Sequence, residues 1–322
     1  VVVPVGSDVI GEGLGQLREE LSKASQCRAA CLDLLLTGPN DACEPLLRPD
    51  PNLDLLLSDP ARQSLGWVLS RAALRDVGGF GPAAGPAAVL DVLLRMIEAQ
   101  GLSGLGHLAS PVLSVPAPSA LPADFQSVAM QHLARRGYLG ARLFGGPDHS
   151  LRIEYGHPDQ PRVSIIIPTR DQLPMLQRCV ETLMEKTRYG NYELLIVDND
   201  SRTPEARAWL DGLAAMGLEQ VRVLSYPHPF NYSAMNNLAA REARGEYLLL
   251  LNNDTAVLRG DWLDAMLNHA QRPEVGVVGA RLLFPDGTLQ HAGIVLGLRG
   301  PAEHPFIGLP GDLTGASGRL HC

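Results

Sequence analysis

From residue 163 onward the chain alternates between short aliphatic runs and segments with helical spacing, and this alternation restricts the fold more than any other feature of the 322 residues. Val163-Ser164-Ile165-Ile166-Ile167, ended by Pro168, is a short β-branched run, as suits a strand buried on both faces of a parallel sheet. Leu173, Leu176, Val180, Leu183 and Met184 then recur at helical intervals over 173–187, with Pro174 tolerated in a first turn. The pair repeats as strand 193–197 with helix 204–216, strand 221–224 with helix 233–244, and strand 246–251 with helix 261–270. A further strand is expected over 275–279, and Phe284-Pro285-Asp286-Gly287-Thr288 reads as a turn. Strands separated by helices require right-handed crossovers, so the expected class is α/β with a mainly parallel sheet.

The first half is less regular. Helical spacing marks 14–22, 89–99 and 126–136, whereas the Ala-, Gly- and Pro-rich stretches 78–88 and 110–122 read as loops and 144–161 as a connector. A short internal match links the halves: Val1-Val2-Val3-Pro4-Val5-Gly6-Ser7-Asp8 aligns with Tyr247-Leu248-Leu249-Leu250-Leu251-Asn252-Asn253-Asp254, each an apolar run, two small polar residues and an aspartate.

In a parallel α/β sheet, ligands sit beyond the carboxyl ends of the strands. Three predicted strands end in polar residues suited to such a site: Pro168-Thr169-Arg170-Asp171, Asp198-Asn199-Asp200-Ser201 and Asn252-Asn253-Asp254. The structural alternative is that these Asp, Asn and Ser residues cap the helices that follow. Asp254, a hard oxygen ligand beside neutral amides, suits Mg2+ or Mn2+ held by one carboxylate with phosphates completing the shell. Asp198 is placed to accept hydrogen bonds from a base N–H or ribose hydroxyls.

Composition narrows the classes. With 45% hydrophobic and 19% charged residues the chain is neither disordered nor collagen-like. A net charge of −8 without a basic run argues against a nucleic-acid partner. No apolar stretch approaches the roughly 18–20 residues of a membrane-spanning helix, and no secretory leader is recognisable. Cys27, Cys31, Cys43, Cys179 and Cys322 are scattered and odd in number, as in a reducing cytoplasm. Cys27 and Cys31 could share a helix face, but no second ligand pair follows to make a metal site.

The motifs Val163-Ser-Ile-Ile-Ile-Pro-Thr-Arg-Asp171, Ile196-Val-Asp-Asn-Asp-Ser201, Pro229-Phe-Asn-Tyr-Ser-Ala-Met-Asn-Asn-Leu-Ala239, Leu249-Leu-Leu-Asn-Asn-Asp-Thr255 and Pro285-Asp-Gly-Thr-Leu-Gln-His-Ala-Gly-Ile-Val-Leu-Gly297 resemble family 2 glycosyltransferases of the GT-A fold. The closest subset is the bacterial enzymes that assemble O-antigen, capsule or other surface polysaccharide. The resemblance implies inverting, metal-dependent transfer of a sugar from a nucleotide-diphosphate sugar to a glycan or lipid-linked glycan, in the cytoplasm or at the periphery of the inner membrane. It places Pro168, Thr169 and Asp171 in the nucleotide pocket, with Asp198 and Asp200 near base and ribose. Asn252, Asn253 and Asp254 stand at the Asp-x-Asp element, with Asp254 the metal ligand and Asn252 replacing the first aspartate. Asn231, Asn236 and Asn237 fall on the loop and helix over the nucleotide, and His291 near the diphosphate; a turn histidine bonded to backbone is the alternative for His291.

Segments 45–57, 68–80 and 90–95 resemble the acceptor-side half of the same kind of domain, with Ser7-Asp8 at its Asp-x-Asp position. The expected organisation is therefore the later part of a degenerate GT-A domain over 1–150, a linker over 151–162, and the nucleotide-sugar-binding part of a second domain over 163–322, with both ends truncated. Inverting transfer needs a carboxylate base. The aligned position in the first half is Val89, Asp91 lies two residues on, and in the second domain the base is expected beyond Cys322. A non-catalytic scaffold or remnant module is the main alternative. A nucleotidyltransferase would want a glycine-rich loop where Pro168–Gln172 has none, and a dinucleotide-binding oxidoreductase a Gly-x-Gly-x-x-Gly motif that Gly11–Gly15 does not match. His228 reads as loop packing.

Overall fold

The computed structural model describes residues 1–38, 42–81, 85–146, 150–297 and 300–313. Its contacts separate two units, one formed by residues 1–156 with the described residues from 280 on, the other by 157–279.

In the first unit, β1 (Asp8–Val9), α1 (Gly13–Lys23), β2 (Ala29–Thr37), β3 (Cys43–Leu46), α2 (Leu53–Ser58), α3 (Pro60–Gln63), β4 (Trp67–Leu69), α4 (Arg71–Asp76), α5 (Ala88–Gln100), β5 (Leu105–Pro116) and α6 (Ala123–Arg135) precede a hairpin of β6 (Arg142–Gly145) and β7 (Leu151–Glu154). The sheet is mixed, in the order β1-β5-β2-β3 with β4 also on β2, and only β2 and β5 run parallel. Period-2 alternation divides β2 between two cores: Ala29 and Cys31 pack with α5 and α6, and Leu32, Leu34 and Leu36 pack with Leu17 of α1. Helix α5 is buried at nearly every position from Val89 to Ile97, which is why its hydrophobic pattern is so legible.

Several expectations for this half are corrected. Residues 110–116, read as loop, lie in β5; the pairing register with β2 shifts at Asp33–Pro111, and a register shift is where a strand tolerates proline. The segment read as a connector, 144–161, holds most of the antiparallel β6–β7 pair; Leu143 and Ile153 of that pair, and Tyr155 just after it, pack with the core. Cys31 is on a strand and Cys27 precedes it, so the two share no helix face. Asp8 lies in a two-residue strand antiparallel to β5, and Val2 forms an isolated bridge with Trp67; the 1–8 segment is thus built differently from the parallel strand it matched at 247–254. Residues 82–84 of the expected 78–88 loop, 147–149 of the connector, and Cys322 lie outside the described residues.

The second unit follows the expected alternation: β8 (Val163–Thr169), α7 (Leu173–Lys186), β9 (Tyr192–Asp198), α8 (Pro204–Ala215), β10 (Val221–Ser225), α9 (Tyr232–Glu242), β11 (Tyr247–Leu250) and α10 (Trp262–Ala270). All four strands are parallel, in the order β10-β9-β8-β11. Ile165, Ile167, Leu194 and Ile196 face α7, α8 and α10, whereas Ile166, Leu195 and Val197 face Met235 and Ala239 of α9. Helices on both faces explain why the middles of β8 and β9 are apolar on both sides. At the opposite end of the sheet from the polar strand ends, buried Glu193 accepts from Ser164 Oγ (2.7 Å), Arg244 N (2.6 Å) and Arg222 Nη2 (2.8 Å). Burial pushes its carboxyl up, but these donors outweigh it and hold it below the ordinary value.

The strand expected over 275–279 is absent: no strand pairs with these residues among those described, and Val277 is 91% exposed. The 284–288 turn forms as expected, closed by Phe284 N donating to Thr288 O at 2.8 Å, between β12 (Leu282–Leu283) and β13 (Leu289–His291). No helix among the described residues is long and apolar enough to cross a membrane.

Candidate functional site

The strand order of the second unit reverses between β8 and β11: the chain moves from β8 to β9 to β10 and then returns to the other side of β8. Such a switch point leaves a crevice beyond the carboxyl ends, because the connecting loops diverge on either side of it. Thr169, buried at the end of β8, and Asn253, just past β11, meet there, with Asn253 Nδ2 donating to Thr169 Oγ1 at 3.0 Å. Leu251 N donates to Ile166 O at 2.9 Å, carrying the β11 pairing up to the polar turn.

The turn itself is pinned from below. Thr255 N and Oγ1 both donate to Asn252 O, at 3.3 and 2.7 Å, and Cys179 Sγ on α7 lies 3.7 Å from the same oxygen and 3.6 Å from Thr255 Oγ1. Burial, partly offset by Thr255 and reinforced by the Asp254 charge, pushes the Cys179 thiol up, so it is a neutral packing group. The side chain of Asp254 is exposed and has no hydrogen bond or ion pair among the described residues.

A second polar cluster joins the ends of β8 and β9. Asp171 N donates to Ser201 Oγ (2.8 Å), and Ser201 Oγ donates to Asp198 Oδ1 (2.5 Å), which also accepts from Ser201 N (3.1 Å). Asp198 Oδ2 has no partner among the described residues. Asp171 does not cap α7; its Oδ1 accepts from Thr203 N (2.9 Å) and Arg202 N (2.7 Å) at the start of α8, and these bonds hold its carboxyl below the ordinary value of 3.8. Asp171, Gln172 and Asp200 are the non-glycine residues with positive φ among those described, at 52°, 45° and 54°. Left-handed backbone at such residues costs energy and persists only where surrounding bonds hold it, as they do here. Asp200 is exposed, with Arg202 Nη2 at 3.6 Å and Arg207 Nη2 at 4.0 Å.

Pro168 pairs in register with Val197, and Asn252 is exposed at the turn. The remaining expected residues are placed elsewhere. Asn231 caps α9, accepting from Ala234 N at 3.0 Å; Asn236 is buried and donates to Tyr232 O at 2.8 Å; Asn237 is exposed on α9. His291 belongs to the first unit, its Nδ1 2.9 Å from His304 Nδ1, and burial together with His304 lowers its pKa. Val89 is buried on α5, and Asp91 Oδ2 accepts from Arg95 Nε (3.1 Å) and Nη2 (2.7 Å), which ties it into an ion pair. Two strand-end residues that were given no nucleotide contact organise the cluster: Ser201, and Asn199, whose Nδ2 donates to Tyr226 O (3.0 Å) and His228 O (2.7 Å).

The described residues hold no cluster of three or more His, Cys, Asp or Glu suited to a metal ion. A lone carboxylate such as Asp254 still fits a divalent ion whose other ligands are phosphates and water, the usual protein contribution to Mg2+ sites.

An α/β unit with polar strand ends gathered at a switch point has the layout in which open parallel sheets bind their ligands. Residues 164–294 match the family model of glycosyl transferase family 2, and this segment of the chain belongs to that family; its parallel sheet is of the expected α/β class. The O-antigen biosynthesis protein RfbC of Myxococcus xanthus is 41% identical over 278 residues, 83% of this chain and 21% of that protein. The uncharacterized protein y4gI of Sinorhizobium fredii is 39% identical over 290 residues, 86% of this chain and 32% of that protein. The chain thus spans between a fifth and a third of the length of these curated relatives, and the matches reach beyond 164–294 into the first unit. Among solved structures, the mannosyltransferase PcManGT of Pyrobaculum calidifontis in complex with GDP-Man and Mn2+ aligns at 20% identity and a TM-score of 0.34, covering 45% of this chain and 41% of that one. GalNAc-T7 with UDP, GalNAc and Mn2+ aligns at 19% identity and a TM-score of 0.29, covering 32% and 19%.

Proposed function

We propose that the chain takes part in glycosyl transfer from a nucleotide-diphosphate sugar to a glycan or lipid-linked glycan acceptor, in the assembly of a surface polysaccharide. The observation that carries this reading is the Thr169–Asn253 bond across the switch point, with the unpartnered Asp254 carboxylate next in the chain, inside a family 2 segment. The name of the Myxococcus relative supports the polysaccharide assignment.

In this reading Pro168, Thr169 and Asp171 line the nucleotide pocket, and Asp198 offers its free Oδ2 to a base N–H or a ribose hydroxyl, with Asp200 beside it. Asn252 and Asn253 shape the turn from which Asp254 holds Mg2+ or Mn2+. When bound, the ion supplies positive charge to the leaving diphosphate. Asn231 and Asn236 set the start of α9 over the nucleotide, with Asn237 following. Transfer is inverting and needs a carboxylate base. Residues 1–150 serve as a degenerate, non-catalytic copy, since the position aligned to the base there is the buried Val89 and Asp91 is paired with Arg95. In this reading the setting is cytoplasmic, at the periphery of the inner membrane.

Hydrogen exchange of the chain with UDP or GDP and Mn2+ tests the site. Slower exchange is expected at 169–172, 198–203 and 252–256, the strand ends that form the site in this reading. Unchanged exchange at all three segments, with either nucleotide, overturns the reading.

A further inference from the structure

A second cavity lies in the same unit, between the loop after β10 and the outer face of α9. Its volume is about 370 Å³, at the small end for ligand pockets, enough for one compact polar molecule. Ser225, Tyr226, His228, Asn237, Leu238 and Arg241 line it. Asn237 and Arg241, four apart, are exposed neighbours on α9, while Leu238 packs against the core that holds Met235 and Ala239.

The lining has three properties that together define a ligand chemistry. None of its residues is acidic, in a chain whose net charge is −8. Its polar side chains are unspent: Ser225 Oγ, the Asn237 amide and the Arg241 guanidinium have no hydrogen bond or ion pair among the described residues. An arginine left free beside a concave surface presents a forked set of donors matched to phosphate or carboxylate oxygens. The third property is a pair of rings: Tyr226 and His228 pack edge to face with centroids 5.1 Å apart. Asn199 holds this ring-bearing loop in place by donating to the carbonyls of both residues, so the wall is preformed. An aromatic wall offers a surface to the C–H face of a sugar, and the amide and hydroxyl groups match sugar hydroxyls.

The geometry points to a second binding site here, for a small saccharide carrying an oxyanion, a sugar phosphate or a uronate, anchored by Arg241. Its centre is set apart from the switch point: it lies at β10, the far edge of the sheet order from β11, draws on no carboxylate, and shares only Asn237 with the residues assigned to the nucleotide.

The test is calorimetric titration of the chain, in EDTA, with glucose 6-phosphate, glucuronate and glucose. Saturable binding of at least one charged sugar, and not of glucose over the same range, is expected; which one binds separates the phosphate from the carboxylate. Arg241→Gln, at an exposed helix position, should weaken that binding about tenfold or more, the loss typical of a hydrogen bond to a charged group. Asp254→Ala should leave it unchanged. Equal binding by Arg241→Gln, equal binding of glucose, binding of neither charged sugar, or displacement of the charged sugar by UDP with Mn2+ overturns the assignment. Nucleotide binding by the Arg241→Gln protein is read separately, so failure here is distinguishable from failure of the donor site.

Discussion

Asn253 Nδ2 and Thr169 Oγ1 are 3.0 Å apart, joining two strands that are neighbours in the sheet but separated by more than 80 residues of chain. The bond closes the crevice at its base and fixes how the Asn252–Asp254 turn stands over β8. Thr169→Val keeps the side-chain shape and removes the acceptor, so the loss expected is about 1 kcal/mol of stability together with several-fold weaker nucleotide binding. In a double-mutant cycle with Asn253→Ala, read by urea unfolding, the two losses should be markedly less than additive.

Asp171 is held below its ordinary pKa of 3.8 by the Thr203 and Arg202 amides. Its folded-state pKa is depressed, so the stability it contributes is present above the ordinary value and is lost as pH falls through the folded one. Melting temperatures measured from neutral pH down to pH 3 should fall less steeply in Asp171→Asn than in the parent, with the variant less stable at pH 7.

Glu193 anchors Ser164, Arg222 and the backbone at Arg244 from a fully buried position. Glu193→Ala leaves the Arg222 guanidinium without its carboxylate, and with Arg222 still partly solvated the expected cost is about 2–3 kcal/mol by chemical denaturation.

His132 is buried between α5 and α6, with Nδ1 2.6 Å from Glu98 Oε1. Burial lowers its pKa from 6.5, outweighing Glu98, which raises it. The unfolded chain therefore binds a proton more readily than the folded one, and stability falls as pH drops through 6.5. His132→Gln should flatten the melting-temperature profile between pH 7.5 and 5.5.

The second unit was legible because its strands are buried on both faces. Ile165, Ile166 and Ile167 read as strand whichever way each side chain points. The first unit's β5 hid behind Pro111 and Pro116, which signal turns locally but sit at a register shift and at the last strand residue. Val275 to Val278 misled in the other direction: the residues suit a strand, but a strand exists only with a partner to bond, and none is present among the described residues. At the site, the strand-end carboxylates and amides were readable from their place after each aliphatic run. Which of them would be spent on structure was not, because that depends on contacts across loops, such as Asp171 with the start of α8. Cys179 carried no sequence signal at all; its place under Asn252 and Thr255 follows only from how α7 packs.

Calorimetric titration of UDP and GDP into the chain with and without Mn2+ tests the central claim most directly. The account predicts binding of at least one nucleotide that requires the ion and is lost in Asp254→Ala, with the fold intact by circular dichroism. No binding of either nucleotide, or Mn2+-independent binding untouched by Asp254→Ala, would contradict it.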